Sequence, residues 1–343
     1  MTYKTDLNSC RDLIKTGSHS FYAASKLLPG RVRNPALILY AFCRLADDAI
    51  DNSISKQKSY RKLNRRLDLV YRGKPLDTPY DRAFARLVDK FELPKALPQA
   101  LLEGMKWDAD GKQYRNISEL RSYSARVASA VGVMMCVIMG ARNKHVLARA
   151  CDLGVAMQLT NIARDIGEDA REGRIYIPLD WFYEMEITQK EFCDEPYAGV
   201  HLALITQKLL NEARALYKKA TSGIAGLPFL CRPGISSALN IYSRIGAHIA
   251  SANYDNINQR AVTSKSEKLG LLFYSIAESA NATIFPNHPA ITNPPLSETQ
   301  FLVDAASLDT HQIFAEKSMR TDIIFDVWSD LKKRDLQNLT QTN

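Results

Sequence analysis

Six carboxylate and carboxamide side chains, set at helical intervals in two separate segments, carry the strongest chemical signal in this sequence. In YAFCRLADDAID (residues 40–51), Tyr40, Arg44, Asp47 and Asp51 step by four, three and four. Residues three and four apart share one helix face, so Asp47 and Asp51 stand on successive turns, about 5–6 Å apart at Cβ. Two carboxylates that close repel each other unless a cation lies between them. In GVAMQLTNIARDIGED (residues 154–169), Gln158, Asn161, Asp165 and Asp169 step by three, four and four. An Asn and two Asp supply hard oxygen ligands, which suit Mg²⁺ far better than zinc or copper. Mg²⁺ takes few protein carboxylates and completes its octahedron with water and phosphate oxygens. Arg164, Arg171 and Arg174 follow closely and are able to clamp a phosphate. Both stripes interrupt otherwise apolar helices, which sets them apart from an ordinary solvated charged face.

The elements that must position these stripes are helices. Apolar residues recur at helical spacing near 35–51, 57–72, 80–91, 95–107, 118–141, 143–168, 201–222, 234–256, 266–281 and 298–334, with prolines between them. RIYIP (174–178) is the one short extended-looking stretch. Phe285–Pro295 reads as a proline-rich surface loop, and 332–343 as a polar tail. Nothing between 10 and 280 reads as an interdomain linker and no fixed-period repeat occurs, so a single all-α domain over 1–343 is expected. The apolar run Val127–Ala141 is short of the roughly 20 residues that a membrane span needs and reads as a buried core helix.

Composition narrows the chemistry further. The chain has 343 residues, 46% hydrophobic and 24% charged, the profile of a folded protein. The six cysteines form no CxxC and the six histidines no HxxxH, so reduced thiols in a cytoplasmic protein are expected and a zinc site is not. Neither a Walker loop nor GxGxxG occurs, which argues against nucleotides held in glycine-rich loops, and no GxSxG marks a hydrolase nucleophile. The net charge of +8 suits a polyanionic partner, but the aspartates cluster too sharply for a nucleic-acid stripe, and nucleic acid is not expected. It suits loose peripheral docking on an anionic membrane. Two acidic helices in an all-α protein point to a diphosphate held through Mg²⁺, with the bundle walls enclosing a hydrocarbon chain.

At this point the sequence resembles the squalene/phytoene synthase family. The run LGVAMQLTNIARDIGEDAREGRIYIP (153–178) is similar to one family signature throughout. YSARVASAVG (123–132) is similar to a second, with Ser129 where glycine is usual and Ala125 where many relatives carry a second tyrosine. SHSFYAASKLLP (18–29), YAFCRLADDAID and the block Asn253–Arg260 resemble further landmarks, so the likeness spans about residues 8–275. Among the family's branches the wording is most like bacterial phytoene synthases.

The resemblance implies a trans-isoprenoid synthase fold with a central apolar cavity. It implies head-to-head condensation of two geranylgeranyl diphosphates, through prephytoene diphosphate, to 15-cis-phytoene in carotenoid biosynthesis. It places metal on Asp47, Asp51, Asn161, Asp165 and Asp169, and diphosphate oxygens on Ser18, Ser20, Arg44, Gln158, Arg164 and Arg260. Tyr40 and Tyr242 become substrate contacts, and Tyr123 a catalytic tyrosine. Mg²⁺, or Mn²⁺ in its place, is implied as cofactor, and NADPH is not expected. A squalene or dehydrosqualene synthase using farnesyl diphosphate stays open beside this reading, as does, more remotely, a non-catalytic helical scaffold. The small residues Ala23, Ala24 and Ser25 favour a tunnel deep enough for C20 chains.

Overall fold

The computed structural model describes residues 3–17, 25–53, 55–186, 188–194, 196–284 and 292–308. Among them no strand occurs, and RIYIP is irregular chain. The helices are α1 (Tyr3–Gly17), α2 (Gly30–Asp51), α3 (Lys56–Tyr71), α4 (Pro79–Phe91), α5 (Ala96–Ala109), α6 (Ile117–Ser124), α7 (Ala130–Met139) and α8 (Lys144–Arg171). They continue as α9 (Leu179–Glu184), α10 (Gln189–Asp194), α11 (Val200–Thr221), α12 (Arg232–Ser251), α13 (Lys265–Ile284) and α14 (Gln300–Ala306). Starts follow local chemistry. Thr78 caps α4 by accepting from the Asp81 amide, with Pro79 in the first turn, and Asn143 caps α8 by accepting from the amides of His145 and Val146.

The centre of the molecule is α8. Its 28 residues rise about 1.5 Å each, so it crosses most of the protein. The N-terminal half, with Val146, Leu147 and Cys151, joins a core shared with α1 to α5 and α7. The C-terminal half, with Val155, Leu159 and Ile166, joins a second core shared with α11 and α12. The polar stripe from Gln158 to Asp169 is thus carried on a helix fixed by apolar packing along its other faces. Buried in that helix is an ion pair, Arg149–Asp152 at 2.8 Å, each side chain 1% exposed. The Arg149 guanidinium also donates to the Pro294 carbonyl. Removing one partner strands a charge, so Asp152→Ala should lose about 3–5 kcal/mol of stability, read as a lower denaturant midpoint. An unchanged midpoint would mean that the pair is dispensable.

Three helix expectations need correction. The single helix expected over 118–141 is two helices joined by a π-turn at Ala125–Ser129. A π-turn inserts an extra residue, which shifts the face that follows. Ser129 sits there because α8 presses against it: its hydroxyl donates to the Cys151 carbonyl at 2.7 Å. A Cβ on Gly154 would come within 2.5 Å of the Ser129 Cα, so only glycine allows this approach. The helix expected over 234–256 stops at Ser251, because Asn253 and Tyr254 take left-handed backbone (φ 53° and 60°). The helix expected from 298 opens as a 3₁₀ turn and ends at Ala306, where the Leu308 amide bonds back to the Arg142 carbonyl. The rest of that segment, the tail at 332–343, most of the proline-rich loop, and Ser18, Ser20, Ala23 and Ala24 lie outside the described residues.

The apolar run of 127–141 lies inside the fold. By length and composition the segment Ile117–Met139 could cross a membrane, but 67% of its apolar window is buried within the protein.

Candidate active site

The end of α2 supplies the first stripe. Arg44 is exposed and reaches Asp48 at 2.7 Å and Asp47 at 3.7 Å. Burial, reinforced by the nearby charge of Asp51, raises the Asp47 carboxyl above its usual range. One turn earlier Tyr40 is half-buried, and burial raises its hydroxyl pKa.

The second stripe, on α8, faces the first. Arg174 relates them: it lies 3.5 Å from Asp169 and within electrostatic reach of both Asp47 and Asp51. It is placed there by a tight turn after α8, in which the Arg174 amide bonds to the Asp169 carbonyl at 2.8 Å. Asp169 is raised to about 7, because burial outweighs the attraction of Arg174 and neighbouring carboxylates add to the rise. Asp165 behaves oppositely. Burial opposes its charge, but hydrogen bonds from Arg164 (2.8 Å) and Arg260 (2.9 Å) prevail and hold it below its usual value.

Arg260 arrives through a close packing that the sequence does not announce. Asn256 is buried and donates to the Ala163 carbonyl (2.7 Å) and to Thr206 (2.9 Å). This pins the 253–260 block across α8 at Gly167, where a Cβ would meet the Ile257 Cα at 2.8 Å.

Below the stripes runs an apolar cavity of about 320 Å³. Gln158, Asn161 and Tyr242 line its polar end, and Val127, Val131, Met135 and Met139 line one wall down to Val146 and Leu227. Tyr242 also feels the charges of Arg164 and Asp165, which places it near the second stripe. Among the described residues, Asn161 Oδ1 is buried without a hydrogen-bond partner.

These observations test the site for a divalent cation. Among the described residues no three Asp, Glu, His or Cys side chains converge on one point. Two pairs of aspartates, with Asp47 and Asp169 raised by burial, and the Asn161 amide oxygen nonetheless form an oxygen-donor set. That fits Mg²⁺, which needs only one or two protein carboxylates when phosphate supplies the remainder.

One group escaped the sequence reading. Asp108, at the end of α5, accepts from Tyr123 (2.8 Å) and from Tyr176 (2.9 Å). The Tyr123 ring packs 5.2 Å from both Tyr114 and Tyr176, making a wall of three rings. Asp108 follows no helical stripe of acids, so no spacing points to it. The Tyr176 in RIYIP was the available clue.

The geometry has counterparts in known proteins. A family model described as squalene/phytoene synthase matches residues 14–267. A phytoene synthase of Rhodobacter capsulatus is 48% identical over 338 residues, 98% of each chain. A 15-cis-phytoene synthase of Pantoea ananas is 35% identical, over 82% of this chain and 95% of its own. The crystal structure of a dehydrosqualene synthase in complex with a ligand is similar with a TM-score of 0.75 and 32% identity, covering 81% of this chain and 98% of that one.

Proposed function

The chain belongs to the squalene/phytoene synthase family, and on that premise we propose that the two facing stripes hold divalent metal and the diphosphates of its substrates. The enzyme is a prenyltransferase that joins two geranylgeranyl diphosphates head to head, through prephytoene diphosphate, to 15-cis-phytoene. Relatives at 47–48% identity over nearly the full chain carry that conclusion against the farnesyl-using alternatives. The orphaned Asn161 oxygen beside the aspartates is the observation that supports the metal reading best.

Asp47 and Asp51 would hold metal on one side, and Asn161, Asp165 and Asp169 on the other. Mg²⁺, or Mn²⁺ in its place, would supply a Lewis acid that neutralises the departing diphosphate. The chain's own residues do the rest. Arg44, Arg164 and Arg260 offer guanidinium groups to diphosphate oxygens, bidentately where geometry allows. Gln158 and Tyr242 line the polar end of the cavity, where diphosphate would meet hydrocarbon, Tyr40 lies one turn from Arg44, and Ser18 and Ser20, outside the described residues, would add diphosphate contacts by the family resemblance. The apolar walls keep water from the allylic cation, which would otherwise be captured as an alcohol. Tyr123 steers the late proton loss toward released diphosphate.

We read residues 1–343 as one domain. The protein works in the cytoplasm, with peripheral contact to an anionic membrane that takes up the C40 product. Exposed Leu269, Phe273 and Ile276, four and three residues apart on α13, support that contact together with the positive net charge. Sedimentation with anionic but not neutral vesicles is the expected result, and none with either removes the membrane reading. Nucleic acid has no part in it.

Metal dependence is tested directly. Protein stripped with EDTA should turn over geranylgeranyl diphosphate only after Mg²⁺ or Mn²⁺ is restored, without NADPH. Full activity in EDTA would remove the metal reading and leave the family assignment intact.

A further inference from the structure

We propose that Asp108 is a positioning residue for the second half of the reaction, holding the hydroxyls of Tyr123 and Tyr176 in one fixed orientation. The inference rests on the reading that Tyr123 acts beside the carbocations. Each hydroxyl spends its only proton on one Asp108 oxygen, at 2.8 and 2.9 Å. The lone pairs of both phenol oxygens are therefore turned away from Asp108. A phenol that donates to a carboxylate also carries more electron density in its ring, which suits a wall facing a cation. The carboxylate is partly buried, and each of its oxygens accepts from one of the two tyrosine hydroxyls. Its role is assigned through those tyrosines. Val127, four residues beyond Tyr123 and within the π-turn, lines the cavity.

The groups around Asp108 set its charge. Tyr123 comes from α6, Tyr176 and Arg174 from the loop after α8, Asp51 from α2, and Tyr114 from the loop before α6. Burial is the largest influence and raises the Asp108 carboxyl to about 6, while the two tyrosine hydrogen bonds and Arg174 oppose the rise. A carboxyl raised in this way gains its proton as pH falls through about 6, and then no longer accepts from both hydroxyls with full charge. The orientation should fail on that acidic limb.

The test is Asp108→Asn, assayed with geranylgeranyl diphosphate and Mg²⁺. The amide keeps the shape but replaces one acceptor oxygen with a donor. We expect kcat to fall by about tenfold or more with KM changed by less than about twofold, the scale of losing hydrogen bonds to a charged group. Prephytoene diphosphate should form a larger share of the products, and the acidic limb near pH 6 should flatten. In a Tyr123→Phe background the same substitution should add less than about twofold, since partners in one network are not additive. If Asp108→Asn does not fold, Tyr176→Phe keeps the carboxylate and removes one donor. It should shift the product share in the same direction with a smaller loss of kcat. Normal kcat and product share in Asp108→Asn, or in Tyr176→Phe where that variant stands in, would overturn the proposal. So would a full multiplicative effect of Asp108→Asn in the Tyr123→Phe background. Failure of the wild-type protein to make phytoene would instead overturn the functional reading beneath it.

Discussion

Asp47→Asn and Asp165→Asn each lower turnover of geranylgeranyl diphosphate by about 10²-fold or more, the scale of losing a principal electrostatic stabiliser of a departing anion. The two variants differ in stability. Asp47 is raised by burial and by its neighbour Asp51, so its charge is a burden on the fold without a bound cation, and neutralising it relieves repulsion. Asp165 is held low because the hydrogen bonds of Arg164 and Arg260 outweigh burial. A lowered carboxyl contributes stability above its unfolded pKa and loses it as pH falls through the folded value. Asp165→Asn therefore melts lower than wild type at neutral pH, and the gap closes in acid. Steady-state product formation and thermal melts at two pH values check both halves. Near-wild-type turnover in either folded variant would refute the two-stripe site.

Tyr123→Phe loses phytoene formation by about 10²-fold while the first condensation survives, so prephytoene diphosphate accumulates. The physical basis is local. The hydroxyl donates to half-buried Asp108, and the ring is packed between Tyr114 and Tyr176. Phenylalanine keeps the packing and removes the donor. The protein stays folded at a cost of about 1 kcal/mol, since half-buried Asp108 keeps the Tyr176 donor. Product analysis from a single turnover separates the two steps. An unaltered product profile would make Tyr123 a core residue and nothing more.

The helices were legible because their signal is periodic and local. Asp47 with Asp51, and Asn161 with Asp165 and Asp169, were legible for the same reason, since a stripe on one helix is written at spacings of three and four. What was hidden depends on contacts between segments. Nothing near residue 108 says that its carboxylate meets tyrosines at 123 and 176, because that meeting needs α5, α6 and the loop after α8 to pack first. The π-turn at 125–129 was invisible in a pattern that keeps helical spacing on both sides of it. Its cause is the fit of Ser129 against Gly154 and Cys151, a feature of two helices rather than of either. Arg174 read as one of several arginines following a stripe. Its place between the two acidic helices comes from the turn that ends α8. Family resemblance carried the tyrosine at 123 into view where spacing alone did not.

The central claim is that this enzyme makes a C40 hydrocarbon from C20 diphosphates without a reductant. The most direct measurement incubates the purified protein with Mg²⁺ and an equal mixture of farnesyl and geranylgeranyl diphosphate, with and without NADPH, and identifies the extracted hydrocarbons. Phytoene as the main product, in equal amount with and without NADPH, is the predicted result. A C30 hydrocarbon as the main product, or a requirement for NADPH, would contradict it.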